Sequence, residues 1–273
     1  MNLINKALFK IFSKSLKKNK IFKDLHSGQS CYIFGNGTSL QYYDLKLFND
    51  RPSIGCNALF AHKDVNSIDL KYYYVGHPFL FHKFWKNPYS QLYEKNRIGI
   101  WYKKKMKNTP NTQYFTSLSN YFGIQGKNIN YVYHFGSGLN KNSIDYEMDE
   151  EYTMMSGALT GMIGMALYMG FTDITLVGCD YTFSPMLHGH FFEKGAKKGV
   201  EGGHYLSELL NVVEKKLTVR TITPNEDFQG EILSSMTYKD LVGQDPIFKE
   251  NQNIISKKDL KDLDSINMNY KIF

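Results

Sequence analysis

Short apolar runs recur along the chain, each closed by small or polar residues. Runs at 31–35, 52–56, 71–75, 113–115, 130–134, 173–177 and 218–222 predict strands. The first, Cys31 to Gly35, leads directly into Asn36-Gly37-Thr38-Ser39 and a mixed polar–apolar segment at 40–48. Strand, glycine-rich turn and helix start in that order predict the first βα unit of a doubly wound sheet. The second run ends at Asn57 and the third at Gly76-His77-Pro78. In open α/β sheets the strand carboxyl ends form the ligand crevice, so Asn36, Asn57 and His77 are expected to converge from separate loops.

The N-terminus follows a different period. Leu3, Ile4, Ala7, Leu8, Ile11 and Phe12 recur at helical spacing, with Lys6, Lys10, Lys14 and Lys17 between them. That is an amphipathic basic helix. Two roles are open to it: lying on an anionic membrane face, or packing on its own domain or a partner with the lysines solvated.

The segment 152–172 contains no charged residue. Its glycines Gly157, Gly161, Gly164 and Gly170, and the strand that follows directly, predict a buried crossover helix, not a membrane span. Free N–H groups where this helix begins, at Ser156-Gly157, favour an anion such as phosphate. A further helix is predicted over 205–216. The region 81–150 is less regular and rich in aromatics and lysines. Its 101–107 cluster suits either a polyanionic ligand or a solvated edge.

Composition narrows the class. The chain has 273 residues, of which 42% are hydrophobic and 15% aromatic, enough for a core and too many for wholesale disorder. Three scattered cysteines give neither a disulfide framework nor a CxxC zinc site, which points to a reducing cytoplasm. The net charge is +7, and the first 23 residues hold seven lysines and no acid, so the rest of the chain is formally neutral. A nucleic-acid-binding body carries its own basic face, and none is expected here. The predicted organisation is a basic segment at 1–28, a Rossmann-like α/β domain at 29–225 with a mostly parallel sheet and helices on both faces, and an irregular tail at 226–273.

Several chemistries lack their signatures. GxGxxG, GxxxxGK[ST], HExxH and Gly-x-Ser-x-Gly are all absent. A strand end at Gly178-Cys179-Asp180-Tyr181 offers a carboxylate for a sugar hydroxyl, and His188, His190 and His204 follow it. Small residues, amides, one carboxylate and histidines suit a nucleotide-phosphate donor with one imidazole as general base.

Gly35-Asn36-Gly37-Thr38-Ser39-Leu40, Cys56-Asn57, Ser156-Gly157 and Gly178-Cys179-Asp180 occur in the order that resembles bacterial sialyltransferases of glycosyltransferase family 42. The order also resembles the wider group of motility accessory factors and hydroxymethylpterin diphosphokinase-like proteins, with Thr38 in place of a proline. The resemblance spans roughly 27–80 and 150–225. It implies a Rossmann-like fold, a CMP-sugar donor and inverting transfer to a glycan or lipid-linked acceptor, without an obligatory metal or other cofactor.

Asn36 and Asn57 would then contact the nucleotide and phosphate, and Ser156 and Gly157 the donor. Gly178, Cys179, Asp180 and Tyr181 would border the cytidine. His77 and Pro78 stand where the family has asparagine and proline. Either His190, within His-Phe-Phe, or His204, within Gly-His, would be the catalytic base. The implied setting is the cytoplasmic side of an anionic inner membrane, with homo-oligomers common in the group. A Mg-ATP-dependent diphosphokinase and a non-catalytic binding module are the alternatives.

Overall fold

The structure is a computed structural model that describes residues 3–84, 97–133, 146–152, 157–193, 197–198, 213, 216–230 and 233–265. All seven predicted strands form: β1 (Ser30–Phe34), β2 (Ser53–Cys56), β3 (Leu70–Val75), β4 (Gln113–Ser117), β5 (Ile129–Val132), β6 (Asp173–Val177) and, numbered after three intervening short strands, β10 (Thr218–Thr223). The short strands are β7 (Phe183–Ser184), which pairs antiparallel with β11 (Gln229–Gly230), and β8 (Leu187–His188), which pairs antiparallel with β9 (Lys197–Lys198). An eighth sheet strand, β12 (Ser234–Thr237), completes the order β12-β10-β6-β1-β2-β3-β4-β5.

Every pairing in that sheet is parallel. The chain winds outward from β1 to β5, then returns to place β6 on the other side of β1. This doubly wound, Rossmann-like order puts a topological switch point between β1 and β6.

Alternation along β1 sends Tyr32 and Phe34 to one face and Cys31 and Ile33 to the other. The second face is covered by helix α3 (Ala158–Tyr168), which buries Met162, Ile163, Met165 and Ala166. α3 is the predicted crossover helix, and no helix among the described residues is long and apolar enough to cross a membrane. The first face is covered by helix α2 (Arg97–Lys107), which buries Trp101, Tyr102 and Met106 and leaves Lys104 and Lys107 exposed. The helix expected over 40–48 is instead two 3-10 turns, Thr38–Gln41 and Leu45–Leu47. Leu40, Tyr43, Leu45 and Phe48 all bury there, which a single amphipathic face does not allow.

The tail after 225 holds short helices and, beyond the irregular segment expected, a sheet strand. β12 adds to the sheet, and helices α4 (Tyr238–Val242), α5 (Asn251–Ile254) and α6 (Lys257–Ser265) bury Tyr238, Ile254 and Leu263 against the first face. Tyr238 stacks on Tyr43 at 4.9 Å. Backbone bonds from Ile247 N–H to Tyr42 O and from Lys249 N–H to Gln41 O bind this segment to the first loop. A four-residue strand with two exposed serines leaves no apolar run to read.

Helix α1 (Leu3–Leu16) docks on the β5 side of the sheet. Phe9, Phe12 and Leu16 cluster with Leu118, Tyr121, Tyr131 and Tyr133. Of the two open roles for this helix, packing on its own domain is therefore realised, with Lys10, Lys14, Lys17 and Lys18 left exposed. Leu3, Ile4, Lys6 and Leu8 lie outside the described side chains.

His62 ties the C-terminal segment to the body through an antiparallel bridge with Ile255. Its Nδ1 accepts from Asp64 N–H at 3.1 Å, and its Nε2 is buried without a hydrogen-bond partner. Burial lowers the His62 pKa from 6.5 to about 4. The folded state therefore keeps His62 neutral while the unfolded chain takes up a proton below pH 6.5. The stabilisation is complete above that pH and is lost as pH falls towards 4, a contribution of about 3 kcal/mol. Urea unfolding of the wild-type chain and of His62→Gln, followed by circular dichroism, is expected to diverge in pH dependence across this window, the variant losing less stability on acidification.

Candidate functional site

At the switch point, the loops after β1, β2 and β6 and the first turn of α3 surround a cavity of about 170 Å³. Of the residues predicted for the site, Gly35, Asn36, Gly37, Asn57, Gly178, Cys179, Asp180, Tyr181 and His190 line it. Gly157 precedes α3, and the two residues that follow it, Ala158 and Leu159, line the cavity. Ser156 and His204 lie outside the described residues. His77 and Pro78 do not line this cavity. The His77 carbonyl accepts from Asn120 Nδ2–H, burial lowers the His77 pKa, and Pro78 is exposed.

The two loops at the switch point are bound tightly together. Gly37 N–H donates to Gly178 O at 2.7 Å. Ser39 is fully buried and donates twice to Asp180, from its N–H to Oδ2 at 2.8 Å and from its hydroxyl to Oδ1. Gly178 has φ +68°, a left-handed conformation that favours glycine. Burial pushes the Asp180 carboxyl up to about 7, against the opposing effects of the Ser39 bonds and the His190 charge.

A third loop closes the cavity. Gly37 bridges His190, Phe191 N–H donates to Asn36 O at 3.1 Å, and Thr38 Oγ1–H donates to His188 O at 2.8 Å. These bonds carry His190 to the strand ends from a distant part of the chain. Its ring stacks on Phe192 at 5.1 Å. The buried Glu193 carboxylate accepts from His190 N–H at 3.0 Å and from Nδ1 at 3.1 Å. A carboxylate only accepts, so Nδ1 is the protonated nitrogen of the pair.

Glu193 is the site residue that sequence reasoning missed. The His-Phe-Phe motif ends one residue short of it, and the available signal was the His-x-x-Glu spacing.

The amides are held as firmly. Asn57 has φ +49°, a region that asparagine tolerates better than most residues. The Tyr73 hydroxyl donates to Asn57 O at 2.6 Å and holds that loop. Asn36 Nδ2–H donates to Cys56 O at 3.0 Å and Sγ at 3.2 Å, and its Oδ1 is buried without a partner. An unmet buried acceptor costs about 1–3 kcal/mol, so a ligand donor reaching it is favoured. Burial raises the thiols of Cys56, to about 12, and of Cys179, so neither is a thiolate nucleophile near neutral pH. Among the described residues, no group of three His, Cys, Asp or Glu side chains is placed to hold a metal ion.

A Cβ at Gly37 would lie 2.3 Å from Asp180 Oδ1. The substitution Gly37→Ala is therefore expected to lower stability by about 1–3 kcal/mol, the range for overpacking a close-packed site. A thermal melt measures this; an unchanged midpoint would contradict the close approach.

No protein-family model matches the chain, and no curated protein does. Among solved structures it is similar to the sialyltransferase CST-II in complex with trisaccharide acceptor and CMP, at 15% identity and a TM-score of 0.45, covering 86% of this chain and 99% of that one. It is similar also to the sialyltransferase CstII from Campylobacter jejuni in complex with cytidine-5'-monophosphate, at 13% identity and a TM-score of 0.45, covering 89% and 99%. At such identities and scores the likeness assigns no activity to this chain, whose α/β class stands on its own sheet.

Proposed function

We propose that this chain is a glycosyltransferase that moves a nonulosonic sugar, sialic-acid-like or Kdo-type, from a CMP-sugar to a glycan or lipid-linked acceptor, with His190 as general base. The observation that carries the proposal is the meeting of Asn36, Asn57, Asp180 and His190, from four separate loops, around one cavity bordered by a helix N-terminus. The motif order supports a CMP-sugar as the donor.

Each part of the cavity has a task in that reaction. The N–H groups and dipole of the first turn of α3 face the side where the donor phosphate binds and stabilise its charge as it leaves. Asn36 Oδ1 accepts from a donor N–H or O–H. Glu193 holds His190 with Nδ1 protonated, so Nε2 accepts the proton of the acceptor hydroxyl. As that proton transfers, the acceptor oxygen bonds to the anomeric carbon. The bond from that carbon to the phosphate oxygen breaks, its electron pair leaves with CMP, and configuration inverts.

Calorimetry against CMP, UDP, GDP and ATP tests the class, with tighter binding of CMP as the expected outcome; a preference for UDP or GDP would overturn it. His190→Ala is expected to keep CMP binding and lose about 10²–10⁴-fold in turnover of the CMP-sugar.

Glu193→Gln presents an amide that can donate to Nδ1 and so favours the wrong tautomer. Such an exchange costs up to ~10⁴-fold in a serine protease triad, and here kcat is expected to fall with KM for the donor nearly unchanged. Steady-state kinetics of CMP release separates these outcomes.

A further inference from the structure

We infer that the β5 edge of the sheet is a docking surface for an anionic lipid bilayer, built from two segments far apart in the chain. The inference is independent of the nucleotide reading. The first segment, 3–23, holds seven lysines and no acid; the second, 97–133, holds one arginine and five lysines and no acid. The fold brings them together. Phe12 of α1 packs on Tyr121 at 5.0 Å and on Phe122 at 6.2 Å. The loop that continues from Phe122 borders an open groove of about 530 Å³, lined by Lys103, Lys107 and Lys127 together with Met106 and Ile124. Ile129 lines this groove and also packs on the cluster that holds α1, so groove and helix form one surface.

Two properties of that surface select lipid. Lys10, Lys14, Lys107 and Lys127 are exposed and form no ion pair with a described residue; Lys20 and Lys23, nearer the body, pair with Asp149 and Glu147. Uncompensated lysines next to an anionic leaflet are attracted to it, and salt screens that attraction. Beside them stand two large apolar side chains, Ile11 at 70% exposure and Phe122 at 79%. Neither side chain offers anything to a phosphate, and an aliphatic tip such as Ile11 partitions into the acyl boundary.

Phe9, Phe12 and Leu16 of α1 face the protein, and Ile11 stays exposed on the other side of the helix. The bilayer therefore meets the outer side of the helix and the 121–129 loop. The groove lies at the amino ends of β4 and β5, away from the carboxyl-end cavity, so binding here leaves that cavity open.

Co-sedimentation of the full chain with phosphatidylcholine vesicles, with and without phosphatidylglycerol, tests the surface at low and high salt. The expected result is capture by the anionic vesicles alone, weakened by salt. The triple variant Lys10→Glu/Lys14→Glu/Lys127→Glu is expected to bind about ten-fold or more weakly. Phe122→Ser, a single exposed position, is expected to reduce the capture that persists at high salt. Circular dichroism checks that each variant is folded, and the salt series needs no variant.

Equal capture by pure phosphatidylcholine, no capture by either vesicle, or full retention by the folded triple variant would overturn the inference. So would binding to single-stranded RNA as tight as to the anionic vesicles.

Discussion

The close approach of the loops after β1 and β6 is the constraint on which the site depends. The chain leaves β1, visits four more strands, and returns beside β1 only with β6. Two distant turns must then share one small space. Gly37 is the residue that permits it, and the Asp180 carboxylate, held by Ser39 N–H and hydroxyl, bonds one turn to the other. The cavity is the space left beside this contact. The histidine loop joins the same turn by backbone bonds, so its position also follows from the clamp.

That clamp is expensive in isolation. A carboxylate removed from water loses solvation, which is why the Asp180 carboxyl is raised to about 7. Two donated hydrogen bonds from Ser39 offset part of the loss. A pair of apolar side chains could fill similar space at less electrostatic cost, but it would not set the distance between the turns. Around the polar centre the packing is strongly aromatic: Tyr32, Phe34, Tyr43, Phe48 and Tyr73 are all buried on one face. Their hydroxyls are useful as well as their rings. Tyr73 holds the Asn57 backbone, and Tyr238 accepts from Asp44 N–H, which anchors the C-terminal helices to the first loop.

Legibility varied with the strength of the local pattern. Strands β1, β3 and β6 are continuous apolar runs ended by small residues, and each lies within a residue or so of its predicted bounds. α3 was readable because an uncharged stretch between strands has few other uses. β12 was not, since Ser234 and Ser235 are exposed and its strand character comes from the free edge of β10. The first loop misled for the opposite reason: its residues suit a helix, but too many of them are buried for one helical face.

At the candidate site, residue types at strand ends were visible along the chain, because strand termini in a wound sheet face one crevice. Glu193 escaped because a lone acid three residues after a histidine is common, and only its burial against that ring gives it a task. His77 sits at an equally suitable strand end yet lies apart from the cavity, β3 being one strand further from the switch point. The basic edge shows the same limit. Periodicity alone identified α1 as amphipathic and lysine-rich; that Phe9, Phe12 and Leu16 would dock while Ile11 stays exposed depended on the aromatic patch beside β5. Local patterns specify elements because a strand or helix needs only its own residues to state its period. Proximity across the fold is a property of the sheet order, which no short stretch of the chain contains.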